Sequence, residues 1–205
     1  LAMGAAFMLY SLKLAYKIRE ISFLQYGNII HEFDPWFNFR ASEYLLLNGR
    51  QAFWNWFDTE AWYPLGRPVG QTIFPGMQFL AVFIYRFLEH IPIFTWAPND
   101  LLKFFFPFLM ESYQFGPMSL NDICVFIPVW GGVAAAISQF FLCKECTGSS
   151  TVGVFGSFFM AVIPAGLMRS MAGSFDNECV AVPAMMITFA LWARAVRQDD
   201  EGVKY

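Results

Sequence analysis

The sequence predicts an all-α integral membrane protein, and three observations carry that reading. Of its 205 residues, 57% are hydrophobic and 20% aromatic, with 25 phenylalanines. Only 14% are charged, against about 25% in a soluble domain. The apolar residues gather in stretches that approach the 20 or so residues needed to cross a bilayer. Membrane lipids are therefore expected neighbours. The net charge of −3 offers no basic surface, and no nucleic-acid partner is expected.

The first span is expected over about 1–24, where a long apolar run is interrupted by Lys13. Residues 25–122 differ in kind and read as a long first external loop. Its first half mixes aromatic with charged residues, as in Trp54-Asn55-Trp56-Phe57-Asp58 and Trp62-Tyr63-Pro64-Leu65-Gly66-Arg67. Such amphipathic rings prefer the membrane interface. Residues 72–88 are apolar but contain Pro75-Gly76 and Arg86, so they read as a surface or half-inserted helix. Residues 95–122 are the most loop-like. Three further spans are expected at about 123–142, 151–168 and 179–196, with a second external loop at about 169–178. Pro128, Pro164 and Pro183 lie inside these spans, which membrane helices tolerate when neighbours satisfy the freed backbone groups. If 72–88 does not cross, counting spans puts both external loops on one membrane face. The chain starts at Leu1 and ends just after a charged stretch, so it reads as a fragment of a longer protein.

Two acidic motifs stand at span ends. The first is His31-Glu32-Phe33-Asp34-Pro35-Trp36, and the second runs Arg169-Ser170-Met171-Ala172-Gly173-Ser174-Phe175-Asp176-Asn177-Glu178. Carboxylates at a membrane are costly to desolvate, so each calls for a reason. Capping is one: Pro35 suits the start of a helix, with Asp34 as its N-cap, and Asp176 to Glu178 precede an apolar span whose dipole favours acids. A shared site is another. Carboxylate oxygens from two loops suit a hard divalent cation that leaves room for a phosphate. Arg169 either grips phosphate oxygens with its planar fork or snorkels toward lipid head groups. Cys143-Lys144-Glu145-Cys146 has redox or zinc spacing but no second pair, and reads as small apolar packing. His31 and His90 have no partner at ligand spacing.

The motifs His31–Arg40 (HEFDPWFNFR), Asn55–Gly66 (NWFDTEAWYPLG), Thr72–Gly76 (TIFPG) and Arg169–Glu178 (RSMAGSFDNE) together closely resemble the catalytic-subunit family of eukaryotic oligosaccharyltransferase. The resemblance runs in order through nearly the whole chain and is least familiar over about 95–120. It implies a GT-C type multi-span helical bundle, with short non-spanning helices in the long first external loop. It also implies a multi-pass protein of the endoplasmic reticulum membrane with a lumenal active site. The activity implied is transfer of an oligosaccharide from dolichyl diphosphate to the Asn of N-x-S/T sequons, with inversion. Asp34, Asp176 and Glu178 match the family's catalytic acids, which hold Mn²⁺ or Mg²⁺. Arg169 matches an arginine near the diphosphate, and Glu32 completes the first acidic pair on the substrate side. The implied partners are the lipid-linked donor, the acceptor polypeptide and other oligosaccharyltransferase subunits. A later-loop glutamate and a C-terminal sequon-reading domain are expected beyond Tyr205, so residues 1–205 are expected to be inactive alone.

Two other classes compete. An ion-coupled transporter or channel subunit would place ionisable residues at mid-span, where the sequence offers Lys13. A structural membrane subunit would use both acidic motifs only as helix caps.

Overall fold

A computed structural model describes residues 2–90 and 118–197. Most of the loop-like stretch 95–122 and the charged tail lie outside the described residues. Those residues form helices α1 (Ala2–Tyr26), α2 (Phe33–Trp54), α3 (Val69–Thr72), α4 (Gly76–His90), α5 (Leu120–Thr147), α6 (Ser150–Val162), α7 (Pro164–Met168) and α8 (Glu178–Val196). Extended pairing among them is confined to one isolated bridge, Asp58 with Arg67. The all-α expectation therefore holds. By length and apolarity two helices, α5 and α8, can cross a membrane. The stretch expected at 151–168 is divided instead: α6 ends at Val162, Ile163 is extended (φ −63°, ψ 125°), and Pro164 opens α7. Pro164 is not inside a helix but at its first turn, where its missing N–H costs nothing.

The described residues group into two compact units. One holds residues 2–25, 128–172 and 178–197. In it Ala15, Ala136 and Ala161 are buried together, with Leu12, Val133 and Val162 packed on them. Small residues at such a seam let helix backbones approach closely, the packing expected inside a membrane. Phe7 of α1 meets Phe155 and Phe158 of α6, with ring centroids 5.7 and 5.3 Å apart.

This unit corrects one reading of the sequence. Helix α1 continues to Tyr26 and carries Lys17, Arg19 and Glu20 as well as Lys13. Arg19 and Glu20 are fully buried. Arg19 Nη1 donates to the carbonyls of Ala15 and Ala161, both at 2.9 Å, and Nε donates to Ser170 Oγ at 2.8 Å. A Cβ at Gly132 would collide with the Arg19 side chain, so the glycine is what makes room for it. Glu20 pairs with Lys17 at 3.2 Å. These charges do occur inside a helix, as transport would require, but Arg19 is tied to backbone and works as a structural knot.

The other unit holds residues 26–90, 118–127 and 173–177. Helix α2 begins with Asp34 and Pro35 in its first turn and bends at Gly49 (φ 79°, ψ 174°). Its buried Ala41, Leu45 and Phe53 pack with Val69 of α3 and Val82 of α4. Helix α4 has 15 residues, about 22 Å at 1.5 Å per residue, against a hydrocarbon core of about 30 Å. The aromatic stretch after α2 is folded rather than loose. Tyr44 stacks on Trp56 at 4.0 Å and 4°, and the Arg67 guanidinium lies 4.8 Å over Phe37. Arg40 Nη2 donates to Asp58 Oδ1 and Glu60 Oε2, each at 3.0 Å. The Glu60 hydrogen bond, and then the charges of Asp58 and Glu60, hold the Arg40 guanidinium above its usual pKa against the opposing effect of desolvation.

Candidate functional site

The first acidic motif sits where the chain enters α2. Glu32 is the N-cap residue, with φ 63° and ψ 168° and no side-chain cap hydrogen bond. A non-glycine residue there is strained, and such strain concentrates at functional positions. Asp34 is therefore not the N-cap that the sequence suggested; it is the second residue of the helix, within its first turn. Glu32 and Asp34 are both exposed. An acid in the first turn is favoured by the helix dipole.

The second motif reaches the first by two ties, and the ties bracket Asp34. On one side, the His31 N–H donates to the Gly173 carbonyl at 3.0 Å, while the Gly173 N–H donates to Val125 O at 3.0 Å. Gly173 has φ +90°, and a Cβ there would strike the Ile29 carbonyl and the His31 ring. Only glycine satisfies both the conformation and the close approach. On the other side, Asn38 Nδ2 donates to the Phe175 carbonyl at 3.1 Å and to Asp176 Oδ1 at 3.3 Å. Asp176 Oδ1 also accepts from the Asn177 N–H at 2.8 Å. Asn38 is four residues after Asp34, so both lie on one face of α2. The structure thus ties Asp176 to a residue one helical turn from Asp34.

Asn38 is itself fixed from below. It is 4% exposed, and its Oδ1 pairs with the amide of fully buried Gln78 of α4 at 3.1 Å. A buried amide with both ends engaged is an orienting group, because leaving either end unpaired costs about 1–3 kcal/mol. Sequence reasoning missed Asn38 and Gln78. The spacing of four from Asp34 was a usable signal for Asn38; nothing local flagged Gln78.

Arg169 and Glu178 belong to the unit that holds α1. Arg169 caps the end of α7, is exposed, and makes no ion pair among the described residues. Glu178 opens α8, and its Oε2 is buried without a hydrogen-bond partner. Such an oxygen is expensive unless something satisfies it. The donor set of Asp34, Asp176 and Glu178 is all carboxylate oxygen, which suits Mg²⁺ or Mn²⁺. Among the described residues, no three His, Cys, Asp or Glu side chains gather as a metal cluster. All four cysteines are free thiols.

Comparison with known proteins matches residues 6–205 to the family model described as oligosaccharyl transferase STT3, N-terminal. The chain belongs to the STT3 family. Among curated relatives, it is 38% identical to the dolichyl-diphosphooligosaccharide–protein glycosyltransferase subunit stt3 of Schizosaccharomyces pombe, over 89% of the chain and 21% of that protein. It is 36% identical to subunit STT3A of Oryza sativa subsp. japonica, over 89% of the chain and 20% of that protein. It is 36% identical to the Saccharomyces cerevisiae subunit STT3, over 86% of the chain and 21% of that protein. The chain spans about a fifth of the length of these relatives. They bear the name of a glycosyltransferase subunit, and the transporter reading has no counterpart among them.

Proposed function

We propose that this STT3 family chain supplies the first two acidic motifs of a dolichyl-diphosphooligosaccharide–protein glycosyltransferase. The observation that carries the reading is the double tie of Gly173 to His31 and of Asp176 to Asn38. Helix capping alone requires no such link between the motifs. The reading places the protein in the endoplasmic reticulum membrane with both motifs lumenal, within a GT-C type bundle. There α1, α5, α6 with α7, and α8 are the spans and α2 to α4 the non-spanning helices of the first external loop. Its substrates are the dolichyl diphosphate oligosaccharide and a polypeptide with an N-x-S/T sequon. Its partners are other oligosaccharyltransferase subunits.

The chemistry asks for two things. The asparagine amide is a weak nucleophile because its lone pair is delocalised into the carbonyl. Asp34, exposed at the start of α2, accepts an amide N–H hydrogen bond and orients the nitrogen toward the anomeric carbon. As the new C–N bond forms, the bond from that carbon to the diphosphate oxygen breaks, the displaced amide proton passes to the Asp34 carboxylate and on to solvent, and the configuration inverts. Arg169 suits the diphosphate through its fork of donors, and Glu32 lies beside Asp34 on the acceptor side. Asp34, Asp176 and, two residues on, Glu178 would hold Mn²⁺ or Mg²⁺. The cation would supply Lewis-acid stabilisation of the departing diphosphate. Asn38 holds Asp176 in place before any ligand arrives, so little reorganisation is left for the reaction.

The test is transfer to a sequon peptide by the full-length protein in its complex, with Mn²⁺ present or chelated. Expected outcomes are loss of transfer on chelation and in Asp176→Ala. Undiminished transfer by Asp176→Ala would leave the motifs as helix caps.

A further inference from the structure

A second chemistry-bearing place lies in the same unit, in the aromatic stretch that the proposed reaction does not use. A cavity of about 380 Å³ is lined by Arg40, Glu43, Tyr44, Trp56, Asp58 and Glu60, among others. Three of these are carboxylates and one is a guanidinium, so the lining carries a formal charge of −2. Arg40 already bonds Asp58 Oδ1 and Glu60 Oε2 at 3.0 Å. Glu43 is exposed and makes no ion pair among the described residues.

Asp58 supplies the decisive detail. It is 3% exposed, and its Oδ1 accepts from Arg40 and from the Glu60 N–H at 3.0 Å. Its Oδ2 is buried without a hydrogen-bond partner. A buried carboxylate oxygen with no donor is costly, and the excess negative charge makes a cationic donor the fitting one. The stacked Tyr44 and Trp56 rings add an electron-rich face that attracts a guanidinium or ammonium.

We infer that this cavity binds a basic side chain, foremost an arginine, presented by another polypeptide. The planar guanidinium packs on the Trp56 face while its N–H groups meet Asp58 Oδ2 and Glu43, the combination that distinguishes arginine from lysine. A neutral saccharide would share the aromatic face but gain nothing from the two uncompensated charges. The inference does not rest on the glycosyltransferase reading, because none of these residues belongs to the acidic motifs.

The experiment uses the full-length protein in detergent and three probes: a blocked Gly-Arg-Gly peptide, the same peptide with neutral citrulline, and chitobiose. Binding is read by saturation-transfer NMR and titration. The arginine peptide is expected to bind, and to weaken at least about tenfold between roughly 0.05 and 0.5 M salt as the charges are screened. Glu43→Gln, at an exposed position that does not threaten folding, should weaken it about threefold to fivefold. Glu43→Lys should abolish it, and citrulline should bind at least about tenfold more weakly. Equal binding of arginine and citrulline, indifference to Glu43→Lys, binding of chitobiose alone, or no binding at all would each overturn the inference.

Discussion

Arg19 and Asn38 are both polar side chains buried in their own units, and the contrast between them separates scaffold from site. Arg19 answers mainly to backbone: two carbonyls and the Ser170 hydroxyl. Nothing about those partners changes during a reaction, so its role ends with holding α1 against α6 and the start of the second acidic loop. Asn38 answers to the carboxylate of Asp176 and the neighbouring Phe175 carbonyl. Its partner is a carboxylate of the proposed site. A buried polar residue alone therefore says little about function; the identity of its partners says most of it.

The largest effect is expected at Arg19. Arg19→Ala removes three hydrogen bonds from a charged donor and leaves a cavity beside Gly132. It should cost about 3 kcal/mol or more, read as loss of the folded full-length protein in thermal denaturation. Arg19→Lys keeps the charge but not the fork, and should recover only part of that stability. Recovery of full stability by lysine would reduce Arg19 to a point charge.

Asn38→Asp is the reciprocal probe. It places a second carboxylate 3.3 Å from Asp176 Oδ1, where like charges repel. Transfer by the full-length protein should fall at least about tenfold while the protein remains folded. An unchanged rate would mean that Asn38 is scaffold like Arg19. Gly173→Ala comes next, because positive φ and the blocked Cβ position together should cost about 1–3 kcal/mol. A neutral outcome in chemical denaturation would remove the His31 tie from the account.

The smallest effect is expected at Arg40→Lys, within about 1 kcal/mol, since the residue is 46% exposed and such pairs are screened. Its raised pKa fixes the sign of the pH dependence. The Arg40 contribution is fully present below the guanidinium's unfolded value and is lost only as pH rises through the higher folded value. The stability difference between wild type and Arg40→Lys should thus stay flat from about pH 6 to 9. A slope within that window would point to a different titrating group.

Much of this was legible in the sequence, for physical reasons. Long apolar runs announce helices because the residues of α5 and α8 leave no other way to satisfy a backbone in lipid. The acids stood out because charge is rare in such a chain. What stayed hidden was long-range. Asn38 looks like one more polar residue in an aromatic stretch until the fold delivers Asp176, 138 positions away, to its amide. Arg19 drew no notice within the first apolar run until the fold set the Ala161 carbonyl and the Ser170 hydroxyl against it. The break at Ile163 was missed because Pro164 is compatible with either a kinked span or a new helix start, and only neighbours decide between them.

The central claim is that Asp34 and Asp176 act as one site. It is tested most directly by transfer rates of the full-length protein to a sequon peptide for wild type, Asp34→Ala, Asp176→Ala and the double variant. Each single change should lower the rate by about a hundredfold or more, and the double variant should be little worse than the weaker single, as for groups that act as a unit. Losses that multiply in the double variant, or a single variant with wild-type rate, would contradict it.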